Sequence, residues 1–188
     1  IAANKAGIIK PDTCVVSAKQ EPEAETVIRQ VSEQMHAQLS MVDPEQLSEV
    51  QYGYEKQSFT YKNWKNVEIT LAGTYQIVNA ALALEAVEAL RKLGYALSEE
   101  QVRTGMNRAT WRGRFSVIHK NPVVVIDGAH NPAAATVLRA SLETYFKGKK
   151  LYYIFGVFAD KDYEKVIEIT APLAEQIITV QTPDNPRA

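Results

Sequence analysis

Four consecutive apolar residues, Val123-Val124-Val125-Ile126, run straight into Asp127-Gly128-Ala129-His130-Asn131-Pro132. A short, uninterrupted β-branched run suits a strand buried on both faces. Gly128 then lets the chain turn tightly, and Asn131 followed by Pro132 is a helix N-cap with its first helical residue. The texture recurs on either side, with strands at Phe115–His119, Leu151–Phe155 and Ile177–Val180, and helices from Pro132 and near Tyr163. Strands alternating with helices predict an α/β domain built on a mostly parallel sheet with helices packed against it.

Upstream of Thr110 the pattern is different. Ile1–Gly7 reads as the end of a helix closed by glycine, Thr13–Ser17 as a short buried strand, and Pro22 opens a helix with Val27, Val31, Met35 and Leu39 on one stripe. Phe59 and Tyr61, then Val67, Ile69 and Leu71, alternate about a turn-like Lys62–Asn66, the pattern of a hairpin with one buried face. From Asn79 to Leu93 an alanine- and leucine-rich helix carries Ala83, Ala86, Val87 and Leu90 on one face, and Gly94 closes it. Ser98 with Gln101 makes a capping box that starts a second helix running to about Arg108. A domain boundary near Thr110 divides residues 1–109 from 110–188. The opening within a helix and the turn-rich close Thr182–Ala188 read as cuts through two domains.

With 46% hydrophobic and 23% charged residues in 188, the composition is that of a globular protein, and a net charge of −1 leaves no basic face for nucleic acid or an anionic membrane. A small-molecule ligand fits better. The one cysteine, Cys14, has no internal disulfide partner and sits in an apolar run, as a small buried hydrophobe would. No signal-peptide pattern or 18-residue apolar run occurs, so the cytoplasm is the default compartment.

In open parallel sheets, ligands bind at the carboxyl ends of the strands. Two segments fit that position: Asp127–Pro132 and Gly156–Asp162. Asp127 reads either as a loop carboxylate accepting from backbone amides or, with His130, as a binder of a ribose hydroxyl, an ammonium group or a metal-bound water. Asn131 can be a plain helix cap, and Asp160-Lys161-Asp162 a solvated turn or part of a site beside the first loop.

Five motifs occur in order across nearly the whole chain: Lys5-Ala6-Gly7-Ile8-Ile9-Lys10-Pro11, Gly73-x-x-Gln76-x-x-Asn79-Ala80, Trp111-x-Gly113-Arg114-Phe115, Asp127-Gly128-Ala129-His130-Asn131-Pro132 and Gly156-x-x-x-Asp160-Lys161-Asp162. Together they resemble the folylpolyglutamate synthase and dihydrofolate synthase series of the Mur ligase superfamily. The resemblance implies the end of a P-loop ATPase-type central domain followed by a Rossmann-like C-terminal domain, with the active site in the cleft between them. The phosphate-binding glycine loop would lie upstream, and no G-x-x-x-x-G-K-[ST] occurs here.

By the same resemblance, Lys5 looks like a lysine that reacts with carbon dioxide to give a carbamate and helps to organise Mg2+ near the ATP γ-phosphate; hard magnesium prefers such oxygen ligands. Without the motif, Lys5 reads as a cation at a helix C-terminus. Asn79 resembles a contact to the adenine side of ATP, or it is the N-cap of its own helix. Arg114 and Asp127 look like ATP contacts from the second domain, the arginine on phosphates and the aspartate on the ribose side. His130, Lys161 and Asp162 would lie near the incoming glutamate or the transferring phosphate. Tyr75 departs from the family, in which many members have histidine there. The implied reaction is ATP-dependent addition of L-glutamate to a folate or to dihydropteroate through an acyl-phosphate, in a monomer without nucleic-acid or membrane partners. Two rivals stand beside it: another Mur-type ligase adding an amino acid to a cell-wall precursor, and a nucleotide-binding module without catalysis.

Overall fold

The structure, a computed structural model, describes residues 1–181, so Thr182–Ala188 lie outside the described residues. The chain divides into two compact units, one of Ile1–Gln51, Ser58–Ile69 and Gln76–Arg108, the other of Tyr52–Gln57, Thr70–Tyr75 and the residues from Ala109 onward. Sequence reading placed a single cut near Thr110 and gave no sign that two short segments before it belong with the second unit.

In the first unit, helix α1 (Ala2–Ala6) leads to strand β1 (Cys14–Ser17), helix α2 (Pro22–Gln34) and strand β2 (Gln38–Met41), with β1 and β2 parallel from Cys14↔Gln38 to Ser17↔Met41. Strands β3 (Leu47–Gln51), β4 (Gln57–Tyr61) and β5 (Trp64–Ile69) form a second sheet in that order. Phe59, Tyr61, Val67 and Ile69 alternate onto one face, each no more than 1% exposed. They pack with Ile77, Ala81 and Leu84 of helix α3 (Gln76–Lys92) and Val102 of helix α4 (Glu99–Arg108). The capping box forms as expected: Ser98 N–H donates to Gln101 Oε1 at 2.9 Å and Gln101 N–H to Ser98 Oγ at 3.1 Å.

Four expectations change here. The buried face of α3 is Ile77, Ala80, Ala81 and Leu84, while Ala83 and Leu90 are exposed. An alanine-rich helix offers two faces of similar apolarity, and packing uses the one with the bulkier pair. Leu39 lies in β2, because α2 ends at Gln34 and His36 turns the chain with φ 52°. Gly7 has φ −60°, a right-handed conformation, so α1 ends without a left-handed glycine. Cys14 is half-buried rather than buried.

Glu85 of α3 is a buried carboxylate held by three donors. Ser40 Oγ donates at 2.6 Å, Tyr61 Oη at 2.8 Å, and Lys62 Nζ pairs with it. Burial pushes its carboxyl up, but the hydrogen bonds from Lys62, Ser40 and Tyr61 outweigh that and hold it below the usual carboxylate value.

In the second unit, strands β6 (Ser116–Lys120) and β7 (Val123–Ile126) form an antiparallel hairpin; helix α5 (Pro132–Tyr145) follows, and strand β8 (Leu151–Phe155), helix α6 (Tyr163–Thr170) and strand β9 (Ala174–Thr179) make a parallel crossover. The parallel arrangement thus holds for β8 and β9. It fails for β6 and β7, because two connecting residues suffice only for a hairpin. Strand β7 is also less buried than its sequence suggests, with Val123, Val124 and Ile126 exposed and Val125 turned toward the core. That core gathers Phe115, Leu142 and Ala72 with Leu138, Tyr145, Phe146 and Tyr54. Phe115 lies 5.3 Å from the ring of Tyr145.

Candidate functional site

The hairpin sets the geometry of the candidate site. Pairing Ser116 with Ile126 brings the residues just before β6 and just after β7 to the same end of the ladder. Those residues are Phe115, with Arg114 next to it, and Asp127. Asp127 Oδ2 accepts the Phe115 N–H at 2.8 Å and Oδ1 accepts the Ala129 N–H at 2.8 Å. The Gly128 N–H donates to Gly113 O at 2.8 Å. Two loops are thereby tied by their backbones, through a carboxylate that bridges them.

The site is tight around Gly128. A Cβ there would lie 3.3 Å from Arg114 Nη1 and 3.3 Å from Gly113 O, closer than most real contacts. The Arg114 guanidinium therefore lies over the glycine that follows Asp127, and it is also 5.9 Å from the ring of the exposed Trp111. Phe115 takes φ 44° and Gly113 φ 76°, so the turn carrying Arg114 uses left-handed backbone twice.

A third group reaches the same carboxylate. Tyr75 Oη lies 3.5 Å from Asp127 Oδ2, and its phenol is pushed up to about 12, first by burial and then by the Asp127 charge, against the opposing effect of Arg114. It keeps its proton and acts as a donor at neutral pH. Sequence reading found no role for Tyr75. No local pattern could have found one, since the contact spans 52 positions.

His130 is exposed, and its Nδ1 lies 2.8 Å from Gly128 O. A carbonyl only accepts, so Nδ1 carries the hydrogen in this contact. Asn131 caps α5 as expected, its Oδ1 accepting the Ala134 N–H at 2.9 Å. Lys161 and Asp162 sit in the loop between β8 and α6. Lys161 Nζ lies 3.2 Å from Asp160 Oδ2, and Asp162 Oδ2 lies 3.3 Å from Lys165 Nζ. Asp162 occupies the N-cap position of α6 without a side-chain cap bond. Among the described residues, no hydrogen bond or ion pair joins Lys161 or Asp162 to Asp127.

Lys5 and Asn79 belong to the first unit. Lys5 is exposed in the last turn of α1, and its ammonium makes no ion pair among the described residues. Asn79 is exposed in the first turn of α3, where Nδ2 donates to Gln76 Oε1 at 2.9 Å. It is not an N-cap, because the helix begins three residues earlier. Among the described residues no three His, Cys, Asp or Glu side chains gather into a cation site, and no helix is long and apolar enough to cross a membrane.

Residues 113–188 match the family model of the Mur ligase glutamate ligase domain. The dihydrofolate synthase/folylpolyglutamate synthase of Bacillus subtilis (strain 168) is 32% identical over 186 residues, covering 94% of this chain and 43% of that protein. The crystal structure of folylpolyglutamate synthase from Thermotoga maritima superposes with a TM-score of 0.82 at 32% identity, over 99% of this chain and 44% of that one. A folylpolyglutamate synthase complex with AMPPCP and folate superposes with a TM-score of 0.87 at 28% identity, over 97% of this chain and 46% of that one. The chain thus spans less than half the length of these relatives.

Proposed function

Because this chain belongs to the folylpolyglutamate and dihydrofolate synthases of the Mur ligase superfamily, we propose that it forms part of an ATP-dependent ligase joining L-glutamate to a folate or to dihydropteroate. The observation that carries the reading is the Arg114 guanidinium lying over Gly128, the residue after Asp127, with the two loops that carry Arg114 and Asp127 tied together by backbone hydrogen bonds and by the Asp127 carboxylate. Such a pair suits a nucleotide, whose phosphates call for a cation and whose ribose hydroxyls call for an acceptor. ATP is the nucleotide this reading requires, and AMPPCP, found in a relative's complex, is an analogue of it.

In the proposed reaction the substrate carboxylate attacks the γ-phosphorus of ATP, ADP leaves, and the glutamate amine displaces phosphate from the acyl-phosphate. Positioning and charge neutralisation carry catalysis of this kind. Arg114 stabilises phosphate charge, Asp127 binds the ribose, and Asn79 contacts the adenine. His130, which is exposed, and Lys161 and Asp162 attend the incoming glutamate or the transferring phosphate. Lys5, exposed and without an ion pair among the described residues, is open to carbamate formation, and the carbamate would supply one oxygen ligand to Mg2+, which neutralises phosphate charge when bound. The reading places the enzyme in the cytoplasm as a monomer, with residues 1–109 the end of a central ATPase domain and 110–188 a Rossmann-like domain.

The test uses the enzyme carrying this chain with ATP, Mg2+ and L-glutamate, offered tetrahydrofolate, dihydropteroate or a cell-wall precursor. Phosphate release should require glutamate and a pterin acid and match the glutamate incorporated. Release that needs the cell-wall precursor instead would favour the rival ligase.

A further inference from the structure

We propose that Tyr75 is a positioning residue for the nucleotide, acting through Asp127; the inference rests on the reading of Asp127 as a ribose contact. Three anchors hold the segment that carries it. Gly73 has φ 102°, and a Cβ there would come within 2.7 Å of Tyr75 Cε1, so the ring folds back over space that only glycine leaves open. The Thr74 N–H donates to Ser141 Oγ at 3.0 Å, and the Thr74 hydroxyl lies 3.1 Å from the same oxygen. Ser141 is fully buried in α5 and passes its own hydrogen to Val137 O at 2.9 Å. Buried Gln57 donates from Nε2 to Gly73 O at 3.0 Å and to Leu71 O at 2.8 Å, and its Oε1 accepts from Tyr145 Oη at 2.7 Å.

A segment fixed residue by residue delivers one hydroxyl to one place, and that place is Asp127 Oδ2. The other two donors to this carboxylate are the amides of Phe115 and Ala129, which belong to its own pair of loops. Tyr75 adds the contact from a separate part of the sequence and so sets how the plane of the carboxylate is turned. At 3.5 Å the approach is long for O–H···O. Contacts of this kind at ligand sites commonly tighten when the substrate binds.

The experiment measures kcat, the KM for ATP and the thermal midpoint for Tyr75→Phe, Asp127→Asn and the double variant, in the enzyme carrying this chain. Tyr75→Phe should raise the KM for ATP roughly three- to tenfold, the effect of losing a hydrogen bond of ordinary strength, since the approach is long at 3.5 Å. Its kcat and midpoint should stay near wild type, because the phenyl ring keeps the packing. In the Asp127→Asn background, adding Tyr75→Phe should change KM no further, the signature of a residue that acts through its partner. Independent effects in the double variant, a wild-type KM for Tyr75→Phe beside a raised KM for Asp127→Asn, or a parallel fall of kcat and midpoint would each overturn the proposal alone. A wild-type KM for Asp127→Asn would remove the nucleotide reading of Asp127, and the proposal with it.

Discussion

Replacing Asp127 with asparagine is the perturbation whose consequence the geometry defines most sharply. Both carboxylate oxygens accept backbone N–H groups at 2.8 Å, and a third donor, Tyr75 Oη, approaches Oδ2. The asparagine side chain has one acceptor oxygen and one NH2 group, which can only donate. Whichever way it turns, its NH2 faces the amide of Phe115 or that of Ala129. One of those amides loses its partner, at a cost of about 1–3 kcal/mol for a partly buried donor. In a domain of roughly 60–100 residues each kcal/mol lowers the midpoint by about 4–8 °C. Asp127→Asn should therefore melt at least about 4 °C below wild type by calorimetry, in addition to any loss of nucleotide affinity. Asp127→Ala, which removes both acceptors, should melt lower still. A midpoint for Asp127→Asn within a degree of wild type would refute the account of Asp127 as the bridge between the two loops.

Three further outcomes follow from single contacts. Glu85 has a depressed carboxyl pKa in the folded protein, so its contribution to stability is present above the unfolded carboxylate value and is lost as pH falls through the folded value; thermal midpoints scanned from neutral to acid pH should fall more steeply below the ordinary glutamate pKa in wild type than in Glu85→Gln. Gly53→Ala would set a Cβ 2.4 Å from Lys56 O, a backbone clash that must open the 52–57 turn, and chemical denaturation should show a loss of more than about 1 kcal/mol. Ser98→Ala removes one half of the capping box on α4 and should cost about 1 kcal/mol in the same assay, with no change in the KM for ATP.

What was legible in the sequence was what is local. The Ser98 and Gln101 box and the Asn131 cap depend on residues three apart, and both form as read. That the loops carrying Arg114 and Asp127 come together was within reach because a short hairpin joins them. The support beneath them was not. Tyr75 reaches Asp127 across 52 positions, Thr74 reaches Ser141 across 67, and Tyr145 reaches Gln57 across 88, and no spacing rule connects polar residues over such separations. The α3 stripe failed for another reason: with alanine on every side, the helix itself does not say which face is covered, and Ile77 and Leu84 decide it only once β4 and β5 are in place.

Phe115 links the fold to the site. A bulky residue with φ 44° is strained by roughly 1–2 kcal/mol, and such strain persists only where the surroundings fix it. Here the ring is buried to 1% exposure against Tyr145 and Phe146, while its N–H is claimed by Asp127. Burying the ring contributes about 2–3 kcal/mol, enough to offset the backbone strain. The side chain and the amide of Phe115 thus pull in different directions, and the left-handed turn is the conformation that satisfies both. Arg114 is the next residue back along the chain, so the backbone that carries it is set by the core beneath Phe115 together with the carboxylate that holds the Phe115 amide. Phe115→Gly would relax the turn and keep the amide that Asp127 accepts, but it would also lose the ring that anchors the turn in the core, and Arg114 would then be free to leave Gly128. Its stability loss and its loss of nucleotide affinity should appear together, whereas Tyr75→Phe should separate them.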